Sequence, residues 1–171
     1  MDFFEVSSKR YSHKEQFLPN PVPHTDLERI AQAGIDAPSG MNRQTVRLVI
    51  LPDRKSVEPL WAIAPNSGLK TAPAAIAVLT DRTLSPEGSV NFEKEDYSAA
   101  VQNMLLAATA LGYVSLWLDS PFWDDRPQKK AIEALGLAET FKLWAVLPVG
   151  KPDGNGTRRE KLSFAERVWY R

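Results

Sequence analysis

The chain has 171 residues, no cysteine and a formal net charge of zero at pH 7, with 43% hydrophobic and 25% charged residues. This length and composition predict one globular domain over residues 1–171, with a core of ordinary size. The absence of cysteine excludes disulfides, thiolate catalysis and cysteine-ligated metal sites, and the balanced charge argues against a nucleic-acid partner.

The N-terminal segment, Met1 to Glu5, has no basic region followed by an apolar run. No stretch of the chain approaches the roughly 18 uninterrupted apolar residues that suggest a membrane span. We therefore expect a cytoplasmic protein without a membrane partner.

Two cations and a hydroxyl alternate in the segment Arg10-Tyr11-Ser12-His13-Lys14. In extended backbone residues 10, 12 and 14 point the same way, so a guanidinium fork, a hydroxyl and an ammonium converge on one small anion. A second basic run, Arg158-Arg159-Glu160-Lys161, lies near the other end of the chain. The pattern favours a phosphorylated ligand, and the alternative is that both runs are solvated charged surface.

Helix and strand signals follow in chain order. Thr25 and Glu28 form a capping-box pattern, which predicts a helix from Asp26 to Ile35, ended by Pro38. A further helix is predicted from Pro127 to Leu135, with Gly136 just beyond it. Short β-rich runs predict strands at residues 46–51, 74–79, 113–118 and 143–149. Loops are predicted at residues 19–21, 83–91 and 153–156.

The segment Tyr97 to Leu111 has helical periodicity but is apolar on nearly every side, and Gly112 suits its C-terminal end. A helix that is apolar all round must be buried all round. In a domain of this size one side of it therefore needs a second subunit, which predicts a homodimer.

Familiar nucleotide and catalytic motifs are absent. There is neither a Gly-x-Gly-x-x-Gly fingerprint nor a Walker loop, so side chains must hold the phosphate. His13 and His24 have no carboxylate at metal-ligand spacing. The chain also has no Ser, His and Asp in the order and local context of a catalytic triad with a nucleophile elbow. We expect no bound metal.

Several motifs occur in a fixed order in the first fifty residues. These are Arg10-x-Ser12-x-Lys14, Pro21-Val22-Pro23 before a helix, and Ala37-Pro38-Ser39-Gly40-Met41-Asn42-Arg43-Gln44 before a strand. In this order and spacing the chain resembles the nitroreductase family of FMN-dependent oxidoreductases. The chain differs from the family's usual pattern at two places: Ser39-Gly40 replaces the common Ser-Ser, and Thr45-Val46 replaces the Pro-Trp that often follows.

The resemblance implies an α+β fold, with a mixed, mainly antiparallel sheet flanked by helices. It also implies a homodimer with FMN at the subunit interface and a C-terminal arm, Arg159 to Arg171, exchanged between subunits. The alternative for this tail is a terminal strand packed on its own subunit.

The resemblance further implies a set of cofactor-binding residues around the phosphate, ribityl chain and ring of FMN. They are Arg10, Tyr11, Ser12, Lys14, Ser39, Gly40, Asn42, Asn66, Lys70, Trp117, Leu118, Asp119, Ser120, Arg159 and Lys161. The turn at residues 39–42 is expected at the flavin of the other subunit. Asn66 and Lys70 could instead lie in an exposed loop, and Trp117 could be core. Phe122 and Trp123 are candidate sandwich partners for a planar substrate, although core packing is the favoured alternative for them.

The implied activity is transfer of hydride from NADH or NADPH through flavin N5 to an organic acceptor such as a nitroaromatic or a quinone. No side chain is then needed as a catalytic acid or base, because the flavin carries the chemistry. Two other readings stay open. One is a non-catalytic module that binds or stores FMN, and the other is an adaptor that captures phosphate groups on a partner through Arg10 and Lys14. The short region between Leu118 and Leu143 suggests an uncovered pocket with broad, weak substrate selection.

Overall fold

The computed structural model describes residues 1–85, 88 and 90–171. Its α-helices are α1 Phe3–Lys9, α2 His24–Ile35, α3 Arg54–Ile63, α4 Ser67–Thr71, α5 Glu93–Ala110, α6 Asp125–Ala134 and α7 Phe164–Arg167. Its strands are β1 Val46–Leu51, β2 Ala74–Asp81, β3 Val114–Ser115 and β4 Phe141–Gly150. Short 3₁₀ helices lie at Gly40–Asn42, Arg82–Leu84 and Ser120–Phe122. The predicted loop at 83–91 includes residues 86, 87 and 89, which lie outside the described part of the chain.

The strands form one sheet in the order β1-β2-β4-β3, and each neighbouring pair is antiparallel. The N-terminal segment adds an isolated parallel bridge between Ser12 and Ser115 at the β3 edge. The predicted α+β fold with a mixed, mainly antiparallel sheet is therefore confirmed.

The sheet is covered on both faces, which explains why β2 and β4 are nearly continuous apolar runs. Along β2 the side chains alternate between the two layers. Ile76 and Val78 pack in the layer formed with α2 and α5, whereas Ala77 and Leu79 pack in the layer formed with α3 and α6.

The capping-box prediction for α2 is wrong. The helix begins at His24 with Pro23 as its N-cap, and the Pro23 carbonyl accepts hydrogen bonds from the backbone N–H groups of Asp26 and Leu27 at 3.0 and 3.1 Å. Thr25 is therefore already inside the first turn, where its side chain cannot act as the N-cap.

The strand predicted at residues 113–118 is largely interrupted, because only Val114 and Ser115 pair continuously with β4. Leu118 rejoins β4 through mutual backbone hydrogen bonds with Val146 at 3.2 and 2.8 Å. Continuing that register places Leu116 opposite Pro148 at the next hydrogen-bonded pair. Proline has no N–H to donate, so the ladder is broken there.

The strand predicted at residues 46–51 has the predicted ends, and the other predicted elements are present with shifted ends. α5 begins at Glu93 and α6 at Asp125, each a few residues before the predicted start, and both end before a glycine in the left-handed region, with φ of 76° at Gly112 and 67° at Gly136. The helices α1, α3 and α7 were not predicted. Among the described residues, no helix combines the length and apolar character needed to cross a membrane.

Candidate functional site

The N-terminal basic segment runs along the edge of the sheet. Helix α1 ends at Lys9, and the backbone N–H of Arg10 donates to the Val6 carbonyl at 3.0 Å. The chain then extends beside β3, where the His13 backbone N–H donates to the Ser115 carbonyl at 2.9 Å. These backbone contacts set the position of residues 10–14 independently of their side chains.

The C-terminal segment returns to the same edge after β4. The backbone N–H of Asp153 donates to the Gln16 carbonyl at 2.9 Å, and the Arg158 side chain donates to the Ser8 carbonyl. Gly156 lies against the ring of Tyr11 so closely that a Cβ atom there would be 2.3 Å from Tyr11 Cε2. The two ends of the chain are thus packed together.

A cavity of about 450 Å³, which we call the cation cavity, lies between these two segments. Its lining residues are Arg10, Tyr11, Ser12, Lys14, Glu15, Thr157, Arg158, Arg159 and Lys161. Five basic side chains therefore face one carboxylate, which makes the cavity strongly attractive to an anion. Guanidinium, ammonium and hydroxyl donors together are the set that binds a phosphate well.

All six predicted site residues of the two basic segments line this cavity: Arg10, Tyr11, Ser12, Lys14, Arg159 and Lys161. Three further lining residues, Glu15, Thr157 and Arg158, were not predicted from the sequence. Arg158 belongs to the same C-terminal basic run as the predicted Arg159 and Lys161. Burial raises the pKa of the Tyr11 hydroxyl, and the nearby Glu15 carboxylate raises it further. Tyr11 therefore stays neutral at physiological pH and adds no negative charge to the cavity.

His13 points away from the cavity and into the core. It is 1% exposed, its Nε2 lies 2.9 Å from the Gln16 carbonyl, and its ring packs edge-on against Phe17 at 4.8 Å between centroids. Its role is structural, since it anchors the loop that follows the basic segment.

The turn at Ser39–Asn42 lies elsewhere. Ser39 lines a separate cavity of about 320 Å³ together with residues of α2, β1 and α5, and none of the residues 39–42 lines the cation cavity. Met41, Asn42 and Gln44 have positive φ angles of 53°, 54° and 51°. The hydroxyl of Ser39 accepts a hydrogen bond from the Gln44 backbone N–H at 3.0 Å, which closes the turn.

Asn66 and Lys70 lie at the two ends of α4. The Asn66 side chain caps this helix by accepting from the Gly68 backbone N–H at 2.8 Å, and Lys70 is exposed in its last turn. Helix α4 lies close to the segment that follows β3, since a Cβ atom on Gly68 would be 3.2 Å from the Leu116 side chain. Asn66 thus has a structural role, and neither residue lines the cation cavity.

Residues 117–120 follow β3. Leu118 is buried by its pairing with Val146, whereas Asp119 is partly exposed and Ser120 is exposed. Trp117 packs edge-on against Tyr97 at 5.9 Å between ring centroids, and its buried Nε1 has no hydrogen-bond partner among the described residues. This indole N–H is a donor without an acceptor in the isolated chain.

Core packing, the alternative to a substrate contact at Phe122 and Trp123, applies to Phe122 only. Phe122 is fully buried, packed in the layer with α3 and α6, so it cannot contact a substrate. Trp123 is 67% exposed. The side chains of these two adjacent residues point in different directions, so only Trp123 is available to contact a substrate.

Large apolar side chains are exposed at both ends of the chain. Phe3 and Phe4 are 65% and 81% exposed, and Phe164, Trp169 and Tyr170 are 65%, 74% and 88% exposed. Residues 159–171 are exposed throughout and contain no strand, so this tail is not packed as a strand on its own chain. The alternative of a terminal strand packed on its own subunit is therefore wrong.

This chain is similar in sequence to a known protein family and to related proteins. The model of the Nitroreductase family matches residues 8–65 and 61–151. An Archaeoglobus fulgidus protein with the provisional name NADH dehydrogenase/NAD(P)H nitroreductase is 34% identical over 132 residues, which are 77% of this chain and 75% of that protein.

Solved structures share the whole fold. A Parabacteroides distasonis protein with the same provisional name has a TM-score of 0.84 at 26% identity, over 98% of this chain and 96% of that one. A provisionally named nitroreductase from Desulfovibrio desulfuricans, solved in complex with FMN, also has a TM-score of 0.84 at 26% identity, over 98% and 95% of the two chains.

Proposed function

Because the chain belongs to the Nitroreductase family, we propose that it is an FMN-dependent oxidoreductase. It oxidises NADH or NADPH and reduces an organic acceptor such as a nitroaromatic or a quinone. The family match, the NAD(P)H nitroreductase names of related proteins and the FMN complex of the Desulfovibrio desulfuricans structure support this proposal. The whole chain, residues 1–171, acts as one FMN-binding domain.

The observation that carries the proposal is the cation cavity between the two chain ends. A phosphate monoester is a dianion at neutral pH, and this cavity offers it five basic side chains and the Ser12 hydroxyl. The donor set therefore fits the phosphate of FMN. Binding it also relieves the mutual repulsion of the cations, so FMN stabilises the folded protein.

We assign roles within the cavity from the side-chain chemistry and the family resemblance. Arg10, Arg159 and Lys161 hold the phosphate, Ser12 binds the phosphate or the ribityl chain, and Lys14 reaches the edge of the ring. Residues 117–120 border one face of the ring.

When bound, FMN supplies the redox chemistry, taking up hydride from the nicotinamide at N5 and passing it to the acceptor. The chain's own residues bind, orient and surround the cofactor, and none of them is assigned a catalytic acid or base role. A cation near the pyrimidine edge stabilises negative charge there, which is the role proposed for Lys70.

We also propose that the active form is a homodimer. The turn at residues 39–42 and the cation cavity are separate on one chain, as expected if two chains combine their halves into one site. The exposed aromatic side chains of α1 and of residues 162–171 provide apolar surface for a second copy to bury.

The acceptor side of the site is open in this proposal. The region after Leu118 contains one 3₁₀ turn and the ten-residue helix α6, without a further helix to cover the ring. Trp123, exposed on this turn, is a candidate contact for a planar acceptor. Broad, weak acceptor selection follows, and turnover that differs several hundredfold among unrelated acceptors would argue against it.

An absorbance spectrum of the purified protein, before and after anaerobic addition of NADH and then NADPH, tests the proposed function. We expect a flavin band that bleaches with at least one of the two donors. A flavin band that persists with both donors would favour a module that binds or stores FMN. No flavin band, even after added FMN, would overturn the proposal and favour an adaptor that binds phosphate groups.

A further inference from the structure

The carboxylate of Asp96 links helix α5 to both ends of the turn at residues 40–45. Asp96 lies in the first turn of α5 and is 2% exposed. One of its oxygens accepts from the Gly40 backbone N–H at 2.6 Å, and the other accepts from the Thr45 hydroxyl at 2.7 Å. These are charge-assisted hydrogen bonds in a buried environment, and such bonds are among the stronger ones in proteins.

The turn held by Asp96 has a costly backbone conformation. Met41, Asn42 and Gln44 all have φ between 51° and 54°, in the left-handed region that non-glycine residues seldom adopt. Such a conformation persists only where tertiary contacts impose it.

Gly40 gives a second contact between the turn and α5. Its missing Cβ leaves room for Phe92, the residue before α5, since a Cβ atom there would lie 2.2 Å from the Phe92 ring. Gly40 thus lets the backbone approach closely enough for its N–H to reach Asp96.

The buried charge of Asp96 is not explained by an ion pair. None of the salt bridges between described residues includes Asp96. Burying a carboxylate is unfavourable unless hydrogen bonds compensate, and the bonds from Gly40 and Thr45 both come from the turn. The residue is therefore best understood by what it does to the turn.

We propose that Asp96 is a positioning residue for the flavin site. Its two hydrogen bonds hold the turn at residues 40–45, in which Met41, Asn42 and Gln44 have positive φ, so that the turn presents Ser39, Gly40 and Asn42 to FMN. This inference rests on the proposed function, because contact between the turn and FMN is part of that function. Asp96 lines the cavity of about 320 Å³ together with Ser39, and in this inference it acts through the turn.

The inference predicts that hydrogen bonding matters more than charge. Asp96→Asn keeps an oxygen to accept from Gly40 and gains an NH₂ that can donate to the Thr45 hydroxyl, so both connections survive without the charge. Asp96→Ala removes both. At the other partner, Thr45→Ser keeps the hydroxyl, whereas Thr45→Val removes it with little change in volume.

Asn103→Ala is a matched control on the same helix. The Asn103 side chain donates to the Ala33 carbonyl at 3.1 Å, so its removal also breaks a tether from α5, but to α2 rather than to the turn. An effect that comes from weakening the attachment of α5 in general should appear in this control as well as in Asp96→Ala.

Two measurements on the 171-residue protein test the proposed role of Asp96. The first is hydrogen exchange of the Gly40 amide by NMR without FMN, and the second is the FMN dissociation constant by flavin fluorescence. We expect Asp96→Ala to exchange Gly40 at least about tenfold faster and to bind FMN about tenfold more weakly, the scale of one lost charged hydrogen bond. Asp96→Asn should lose less than Asp96→Ala on both measurements, because it keeps both connections but loses the charge, whereas Thr45→Ser and Asn103→Ala should stay within about twofold of wild type.

Three results would overturn the inference. They are unchanged Gly40 exchange in Asp96→Ala, FMN affinity in Asp96→Ala equal to that of Asn103→Ala, and a loss in Asp96→Asn as large as in Asp96→Ala. Each leaves the proposed function intact if the wild type binds FMN. A wild type that binds no FMN would instead overturn the proposed function, and the inference with it.

Discussion

Replacing Arg10 by alanine tests whether the cation cavity binds the FMN phosphate. The substitution should leave the backbone in place, because Arg10 is anchored through its own N–H to the Val6 carbonyl at 3.0 Å. A hydrogen bond to a charged group contributes about 1.5–3 kcal/mol, so we expect FMN to bind roughly 10- to 150-fold more weakly. Flavin fluorescence titration at fixed ionic strength measures this change directly.

Two companion variants separate charge from geometry and from general effects. Arg10→Lys keeps the charge but loses the planar fork, so its affinity should fall between those of wild type and Arg10→Ala. Arg29→Ala is the control, because the Arg29 side chain is 69% exposed, lies outside the cavity and forms a surface ion pair with Asp26 at 3.8 Å. FMN affinity in Arg29→Ala should equal that of wild type.

Ionic strength and thermal stability provide two further checks on the same variant. Raising the ionic strength from about 0.1 to about 1 M shortens the screening length from roughly 10 to 3 Å, so the difference between wild type and Arg10→Ala should shrink. Without FMN the variant should be at least as stable as wild type, since one of five clustered cations is gone. An unchanged FMN affinity in Arg10→Ala, together with a loss in Arg159→Ala, would refute the assignment of Arg10 to the phosphate.

Three further predictions test the surroundings of the site. Gly156→Ala places a Cβ atom 2.3 Å from the Tyr11 ring, so FMN binding should weaken by roughly 1 kcal/mol or more. In a protein that already carries Tyr11→Ala, adding Gly156→Ala should have little further effect on FMN binding. Equal losses of FMN affinity with and without Tyr11→Ala would contradict the steric argument. Burial, followed by the hydrogen bond to Asp26, raises the pKa of Tyr113 to about 12. The resulting contribution to the free energy of unfolding is complete below pH 10, is lost as the pH rises from 10 to 12 and amounts to at most about 2.7 kcal/mol. Denaturant titrations should show a smaller loss of stability between pH 10 and 12 in Tyr113→Phe than in wild type, and an equal loss in both proteins would argue against this contribution. Deleting residues 162–171 removes exposed aromatic surface and should shift the protein from dimer towards monomer in analytical ultracentrifugation, and a dimer of unchanged affinity would exclude the tail from the interface.

Local signals in the sequence predicted a large part of this structure. The sheet was predictable because β2 and β4 are buried on both faces and must therefore be short, continuous apolar runs. The ends of α5 and α6 were predictable because Gly112 and Gly136 adopt the positive φ that glycine accommodates without strain. In each case the residue type itself carries the physical constraint.

Other features depended on a partner distant in the sequence. The break in the strand after Ser115 requires knowing that Leu116 faces Pro148, and that pairing exists only once β3 and β4 are in register. The tether of Asp96 to Gly40 spans 56 residues of the chain. No local pattern at either position indicates such contacts.

The sequence by itself determined the chemistry of the site and the family of the chain. Alternating Arg10, Ser12 and Lys14 and the basic run at residues 158–161 indicated an anion-binding site, because charge and hydrogen-bonding capacity belong to the residue types. Only the tertiary structure decided that the two runs share one cavity, that His13 and Phe122 are core, and that Asn66 caps a helix. The direction and burial of a side chain follow from the packing of segments far apart in the sequence, which no short stretch of sequence contains.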